Sequence, residues 1–211
     1  MQQIILASTS PRRKEILELL GLDFEIVESL YDEDQIKTED PIELVEELAL
    51  QKALAVADRY PDAIIIGGDT TVAHGEGWIG KADTSEQARA IFGSLLGRTH
   101  QVVTGVAVVN SLTGENLVGH EAGTVALRAG TSQELENYVQ NEKNWRGFAG
   151  AYALQGAAAP FVLSSSGKLS AIIGLPVELT CALLEQAGIV VDVDPQEVEQ
   201  SLYGMRVGIQ K

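Results

Sequence analysis

The chain has 211 residues, of which 45% are hydrophobic and 21% charged, and this is typical of a globular domain with a sizeable core. Its net charge of −15 argues against a role in coating nucleic acid, and no apolar run approaches the roughly 20 residues of a membrane span. The single cysteine, Cys181, excludes an internal disulfide and fits a reducing cytoplasm. With no secretory signal visible, we expect a cytoplasmic protein that binds neither a nucleic acid polymer nor a membrane.

The first informative stretch follows a short apolar strand predicted over 4–6. Ser10 is well placed to cap a helix that Pro11 begins. The first turn of that helix carries three successive cations: Arg12, Arg13 and Lys14. Since the helix dipole favours acidic residues there, the cations either extend into water or surround an anion. Free N–H groups, the hydroxyls of Ser8 and Ser10 and guanidinium groups would together form a phosphate cradle.

A helix predicted over 41–60 and the strand after it supply two further charged positions. Lys52 falls within the apolar stripe of the helix, where a lysine either reaches out to solvent or points into a cleft. The strand, predicted over 63–66, is followed by two glycines and then by Asp69 and Thr70. In open α/β sheets, a carboxylate at the carboxyl end of a strand lies where ligands bind, although an aspartate there also stabilises turns.

Residues 75–82 match the pattern of a phosphate-binding loop in every position but the last. That position requires a Ser or Thr hydroxyl for magnesium, and Ala82 stands there instead. The next helix also begins too late, at Thr84, so we reject a Walker-type site. Lys81 remains a candidate cation for a cleft.

The second half of the chain mixes strands, helices and one unusual loop at 145–156. Small residues in this loop permit close backbone approach to a ligand, and Gln155 offers a donor and an acceptor for reading a base edge. A plain tight corner is the alternative. Residues 191–211 read as a short helix or mobile appendage to one domain over 1–190. The other predicted elements are helices over 84–97, 131–140 and 174–188, and strands over 102–109, 117–127, 161–163 and 169–173.

Several segments, spanning about residues 3–190, resemble the Maf family of nucleoside triphosphate pyrophosphatases. Because they occur together in one order, they are far more specific than any single motif. The resembling segments are LASTSPRR at 6–13, the acidic loop that holds Glu33, LALQKA at 48–53, IIIGGDTTV at 64–72, Lys81, LLGRTHQVVTGV at 95–106, AGAYALQG at 149–156 and IIGLPVEL at 172–179.

The resemblance implies an elongated mixed α/β fold, similar to that of ITPases, with flanking helices and two lobes around a central cleft. It also implies a homodimer that hydrolyses nucleoside triphosphates to the monophosphate and pyrophosphate with a divalent cation, Mg²⁺ or Mn²⁺. Asp69 would be the catalytic carboxylate. Arg12, Thr70 and Gln155 stand at positions associated with substrate choice, in a combination similar to the dTTP/UTP-type branch. The other predicted substrate-binding residues are Ser8, Ser10, Arg13, Lys52 and Lys81, and the predicted metal ligands are Glu33 and Asp69.

Two alternative functions remain open from the sequence. The first is a nucleotide-binding regulator of cell division without catalysis, which the carboxylates disfavour because a pure binder needs none facing a polyphosphate. The second is a pyrophosphatase of the 7-methyl-GTP type. The chain also departs from the family pattern, with Phe148 where many members have a lysine and Ala82 in place of a proline. These departures concern affinity and base preference more than the reaction.

Overall fold

The computed structural model describes residues 2–75 and 77–205, and these are built around one mixed β-sheet. The strands are β1 (Gln3–Leu6), β2 (Glu25–Ile26), β3 (Ala63–His74), β4 (Gly77–Ile79), β5 (Thr99–Asn110), β6 (Glu115–Leu127) and β7 (Val162–Ser166). Their order is β2-β1-β3-β5-β6-β7, with β4 paired to the end of β3. β1 runs parallel to β2 and β3, whereas all other pairs are antiparallel.

Helices cover both faces of this sheet, so the predicted mixed α/β architecture with flanking helices is confirmed. The helices are α1 (Pro11–Leu19), α2 (Pro41–Ala57), α3 (Ser85–Leu95), α4 (Ser132–Val139), α5 (Leu169–Ile173), α6 (Val177–Gln186) and α7 (Pro195–Met205). Capping boxes are present at Thr84 and Thr131, where the sequence predicts that two helices begin. In the described part of the chain, no helix is long and apolar enough to cross a membrane.

Two glycines allow α2 to lie directly against the sheet. A Cβ added to Gly67 in β3 would lie 2.0 Å from the carbonyl oxygen of Ala49, and one added to Gly105 in β5 would lie 2.3 Å from that of Val45. Both oxygens belong to the α2 backbone, so only a hydrogen fits at either position. The close approach brings α2 side chains within reach of residues on β3.

The main core lies on the opposite face and includes an aromatic cluster. Phe92 of α3 stacks on Tyr138 of α4, with ring centroids 4.3 Å apart. The C-terminal helix α7 also contributes to this core, since Val198 and Leu202 are buried in it. Of the appendage predicted over 191–211, this part is helical and packed, and residues 206–211 lie outside the described residues.

Two predicted strands differ from the structure. β3 does not end at Ile66 but continues to His74, because the residues after the glycines pair with β5. Asp69 therefore lies inside a strand and not after one. Residues Leu169–Ile173, predicted as a strand, form the helix α5. A short run whose residues are all buried carries no periodicity that distinguishes a strand from a helix.

Candidate active site

A cleft of about 590 Å³ opens beside β3 at the point where β1 ends. β1 pairs with β3 only as far as Ile66, and β4 joins the same edge from Val72 onwards. Among the described residues, 67–71 therefore have no strand neighbour on that side. The chain crosses this gap through the loop at 7–10 and enters α1, so that the loop, the start of α1 and the edge of β3 form one wall.

The opposite wall consists of the loop at 146–154 and the end of α5. The backbone N–H of Gly150 donates to the carbonyl oxygen of Gly80 at 3.0 Å, which ties this loop to the segment that carries Lys81. Gly150 has a φ of +70°, and a Cβ there would lie 2.9 Å from Val72. A glycine is thus required where the loop turns closely over β3.

Register places the charged and hydroxyl groups of β3 on opposite faces of the sheet. Asp69 pairs with Gly105, and since paired residues share a face, Asp69 points towards α2. Thr70 pairs with Thr104 on the other face, and their hydroxyls are 2.9 Å apart. The cleft at the edge of β3 is accessible from both faces, which explains how two neighbouring residues both line it.

Lys52 of α2 is the centre of a buried ion cluster. Its Nζ lies 2.5 Å from Asp69 Oδ1 and 2.8 Å from Glu33 Oε1. Lys52 and Asp69 are only 6% and 5% exposed, and each neutralises the charge of the other, which would be costly to bury alone. Of the two sequence alternatives for Lys52, the structure shows the one that points into the cleft. Lys81 approaches Glu33 at 3.7 Å from the solvent side.

Arg13 lies across the sheet edge from Lys52 and is held by three acceptors. Its Nε donates to the carbonyl oxygen of Gly174 at 2.9 Å, Nη1 to Ser8 Oγ at 2.8 Å and Nη2 to Thr70 Oγ1 at 3.3 Å. The guanidinium is therefore fixed before any ligand arrives. Such a preorganised fork suits phosphate oxygens, since little entropy is lost when they bind.

The electrostatics of the cleft follow from this crowding of charges. Burial lowers the pKa of Arg13, and the nearby carboxylates of Asp69 and Glu33 partly offset that effect. Burial also opposes the charge of Glu33, but Lys52 and then the other cations outweigh it, so that the pKa of Glu33 falls below its ordinary value. In a chain of net charge −15, the cleft is a local concentration of cations.

Arg12 and Phe148 meet across the mouth of the cleft. The guanidinium carbon of Arg12 lies 4.3 Å from the centroid of the Phe148 ring, which is the geometry of a cation–π contact. Phe148 thus takes a position beside a cation. The ring also forms part of the cleft lining.

The donor set for a divalent cation consists of two carboxylates. Within residues 2–75 and 77–205, no group of three or more His, Cys, Asp or Glu side chains could hold a metal. Asp69 and Glu33 converge on one point, the Lys52 ammonium, and both supply the hard oxygen atoms that Mg²⁺ and Mn²⁺ prefer. Because Mg²⁺ usually takes one or two carboxylates and completes its shell with water and phosphate oxygens, the residues present fit such an ion.

The structure brings together nearly all the predicted site residues. Those that line the cleft are Ser8, Ser10, Arg12, Arg13, Glu33, Lys52, Asp69, Thr70 and Lys81. Gln155 does not: the lining of that loop ends at Leu154, and Gln155 Oε1 is buried without a hydrogen-bond partner in the described residues. Ser10 occupies the N-cap position, but its side chain makes no capping bond.

Two residues that hold Thr70 and Arg13 in place were not predicted from the sequence. Thr104, in β5, donates to the carbonyl oxygen of Ala171 at 2.7 Å and supports Thr70. A hydroxyl in the middle of an apolar strand was the available signal. Gly174 accepts a hydrogen bond from Arg13 through its backbone carbonyl, and no pattern of side chains in a sequence can predict such a contact.

The histidines and the cysteine do not line this cleft. His100 is buried, and its Nε2 is 2.6 Å from the hydroxyl of Tyr152. Burial lowers the pKa of His100 to about 4, so the ring is neutral at physiological pH. Cys181 is buried, and burial raises the pKa of its thiol to about 11, which disfavours the nucleophilic thiolate.

The chain is similar to known proteins over most of its length. The family model described as "Maf-like protein" matches residues 3–187. Relatives from Symbiobacterium thermophilum, Geobacillus sp. and Desulforamulus reducens are 42%, 40% and 38% identical over 89%, 89% and 90% of this chain and 95%, 100% and 98% of their own. All three are named dTTP/UTP pyrophosphatase. The solved Ham1 protein of Staphylococcus aureus aligns over 97% of this chain and 100% of its own, with 15% identity and a TM-score of 0.49.

Proposed function

Because the chain belongs to the Maf-like protein family, we propose that it is a nucleoside triphosphate pyrophosphatase that hydrolyses dTTP and UTP. The products are the nucleoside monophosphate and pyrophosphate. One observation supports this function most directly: a buried carboxylate, Asp69, lies among Lys52 and Arg13 in a cleft large enough for a small molecule. A site that only bound polyphosphate would gain nothing from a carboxylate facing it.

The basic residues of the cleft have the task of neutralising a substrate with close to four negative charges. Arg13 is already held by three acceptors, so it binds phosphate oxygens without further ordering. Lys52 lines the cleft together with the two carboxylates that it binds, and Lys81 and Arg12 add charge at the mouth. Together these groups stabilise the charge that develops on the departing pyrophosphate.

Asp69 is the residue that we assign to the attacking water. It orients this water, and accepts its proton, as the oxygen forms a bond to the α-phosphorus and the bond to the β-phosphate oxygen breaks. When bound by Asp69 and Glu33, Mg²⁺ or Mn²⁺ would neutralise phosphate charge and act as a Lewis acid. Lys52 keeps both carboxylates in place beforehand.

A nucleotide panel tests this proposal. Wild type and Asp69→Asn would be incubated with dTTP, UTP, dCTP, ATP, GTP and 7-methyl-GTP plus Mg²⁺ or Mn²⁺, with pyrophosphate and orthophosphate resolved. Asp62→Asn is the matched control, because Asp62 is exposed just before β3. We expect pyrophosphate from dTTP and UTP with wild type and Asp62→Asn, and a loss of at least about 100-fold with Asp69→Asn.

The other outcomes discriminate between the alternatives. Turnover confined to 7-methyl-GTP would retain the reaction and refute the dTTP/UTP branch. Nucleotide binding without turnover would favour the regulatory role instead.

We also propose that the enzyme is a cytoplasmic homodimer. A reducing cytoplasm suits a chain whose one cysteine is a buried free thiol. A homodimer is expected, and light scattering would give its mass.

A further inference from the structure

We propose that Glu199, on the C-terminal helix α7, is a positioning residue for the cleft, because it holds α5 in the shape that fixes Arg13. The helix α7 lies beyond residues 3–187, the part of the chain that matches the family. Where it concerns activity, this inference rests on the proposed pyrophosphatase function.

Glu199 caps α5 from a different helix. Its carboxylate is buried, with the residue 8% exposed, and Oε1 accepts the backbone N–H groups of Leu169 at 2.6 Å and Ser170 at 3.2 Å. These are the first two residues of α5, whose N–H groups have no acceptor within the helix. The N-cap residue, Lys168, makes no side-chain capping bond. Glu199 therefore does the work of a cap, with charge-assisted hydrogen bonds.

The helix α5 depends on such support because it has only five residues, Leu169–Ile173. A helix this short is unstable by itself. It ends at Gly174, whose φ of +121° is accessible to glycine but strained for other residues. The N–H groups of Gly174 and Leu175 both donate to the carbonyl oxygen of Ser170, at 3.1 and 3.0 Å. Ser170 thus links the end that Glu199 caps to the end that faces the cleft.

Both ends of the Arg13 hydrogen-bond network attach to α5 or to the residue that ends it. Arg13 Nε donates directly to Gly174. Arg13 Nη2 donates to Thr70, which is bonded to Thr104, and Thr104 donates to the carbonyl oxygen of Ala171 in α5. A shift of α5 would therefore move the guanidinium along two routes.

Packing alone does not explain a carboxylate at this position. Burying a charge is costly, and an apolar side chain of similar volume would fill the space between α5 and α7 at least as favourably. The two backbone N–H groups are what a carboxylate can satisfy and a leucine cannot. We infer that the acceptor itself is required.

The experiment compares Glu199→Ala, Glu199→Gln and the control Glu197→Ala in the full chain. Glu197 is exposed in the first turn of α7, so its loss leaves α5 untouched. Glutamine retains an acceptor oxygen and is expected to rescue. The NMR signal of the Arg13 Nε–H reports directly on its bond to Gly174, independently of turnover. In Glu199→Ala we expect this proton to lose its protection from exchange, while it stays protected in the other two variants.

A double-mutant cycle with Arg13→Ala separates positioning from a general loss of stability. We expect Glu199→Ala to lower kcat/KM for dTTP about tenfold in the wild-type background, but less than about twofold when Arg13 is already absent. Equal losses in both backgrounds, or an unchanged Arg13 signal, would overturn the inference. If Glu199→Ala does not fold, Glu199→Asp, one methylene shorter, takes its place. A wild type without turnover would refute the proposed function instead, and the Arg13 signal would then decide this inference alone.

Discussion

The substitution Gly105→Ala tests how closely the fold and the cleft are connected. The new Cβ would lie 2.3 Å from the carbonyl oxygen of Val45 and 2.5 Å from its carbonyl carbon, both in the α2 backbone. Because ordinary Cβ contacts begin near 3.4 Å, α2 must move away from β5 by about 1 Å. Overpacking of this kind costs about 1–3 kcal/mol, which corresponds to a fall in Tm of roughly 2–12 °C.

The same displacement is expected to reduce activity, because α2 carries Lys52 and its Nζ lies 2.5 Å from Asp69. Misplacing a group in the site by about 1 Å costs up to about 100-fold, so we expect kcat/KM for dTTP to fall at least about tenfold. Thermal unfolding and steady-state kinetics measure the two effects. The control is Gly77→Ala in β4, where no atom lies within 4 Å of the added Cβ. If Gly105→Ala matched Gly77→Ala in both Tm and kcat/KM, the reasoning would be refuted.

Three further predictions concern individual side chains. Lys52→Met leaves Asp69 buried without its ammonium partner, so urea denaturation should show a loss of about 3–5 kcal/mol in the free energy of unfolding. The double variant Lys52→Met/Asp69→Leu should recover part of this loss, and additive effects of the two substitutions would contradict the prediction. Burial lowers the pKa of His100 from 6.5 to about 4, so the unfolded state takes up a proton before the folded state does as the pH falls. The free energy of unfolding should therefore be independent of this group above pH 6.5 and should fall by roughly 3 kcal/mol towards pH 4. The free energy of unfolding of His100→Gln should lack this decline between pH 6.5 and pH 4. If wild type and variant declined equally over this range, the prediction would be wrong. Phe148→Leu removes the ring face 4.3 Å from Arg12, a contact worth about 0.5–1 kcal/mol, so KM should rise about two- to fivefold while Tm falls by no more than about 4 °C. An unchanged KM would show that the ring does not position Arg12.

Sequence reasoning identified the chemistry of the cleft better than its architecture. Cations at a helix start, a lysine in an apolar stripe and an aspartate after two glycines were each unusual for a local reason, and the structure places Arg13, Lys52 and Asp69 around one cleft. The reason for the glycines was not visible, because only the approach of α2 to Gly67 explains why no side chain fits there.

What could not be predicted depends on contacts between distant parts of the chain. The buried, mostly apolar residues Leu169–Ile173 suit a strand as well as a helix, and Glu199, about 30 positions later, supplies the cap that favours the helix. Gly174 binds Arg13 through a backbone carbonyl, which every residue possesses. The position of Asp69 within β3 likewise depended on pairing with β5 and not on local propensity.

The central claim is that water attacks the α-phosphorus of a nucleoside triphosphate with the help of Asp69. The most direct test is to hydrolyse dTTP in ¹⁸O-water with Mg²⁺ and to locate the label by mass spectrometry, for wild type and Asp69→Asn. We predict label in the monophosphate, unlabelled pyrophosphate, and turnover that is lost with Asp69→Asn. Label in pyrophosphate or orthophosphate, or an undiminished rate for Asp69→Asn, would contradict the account.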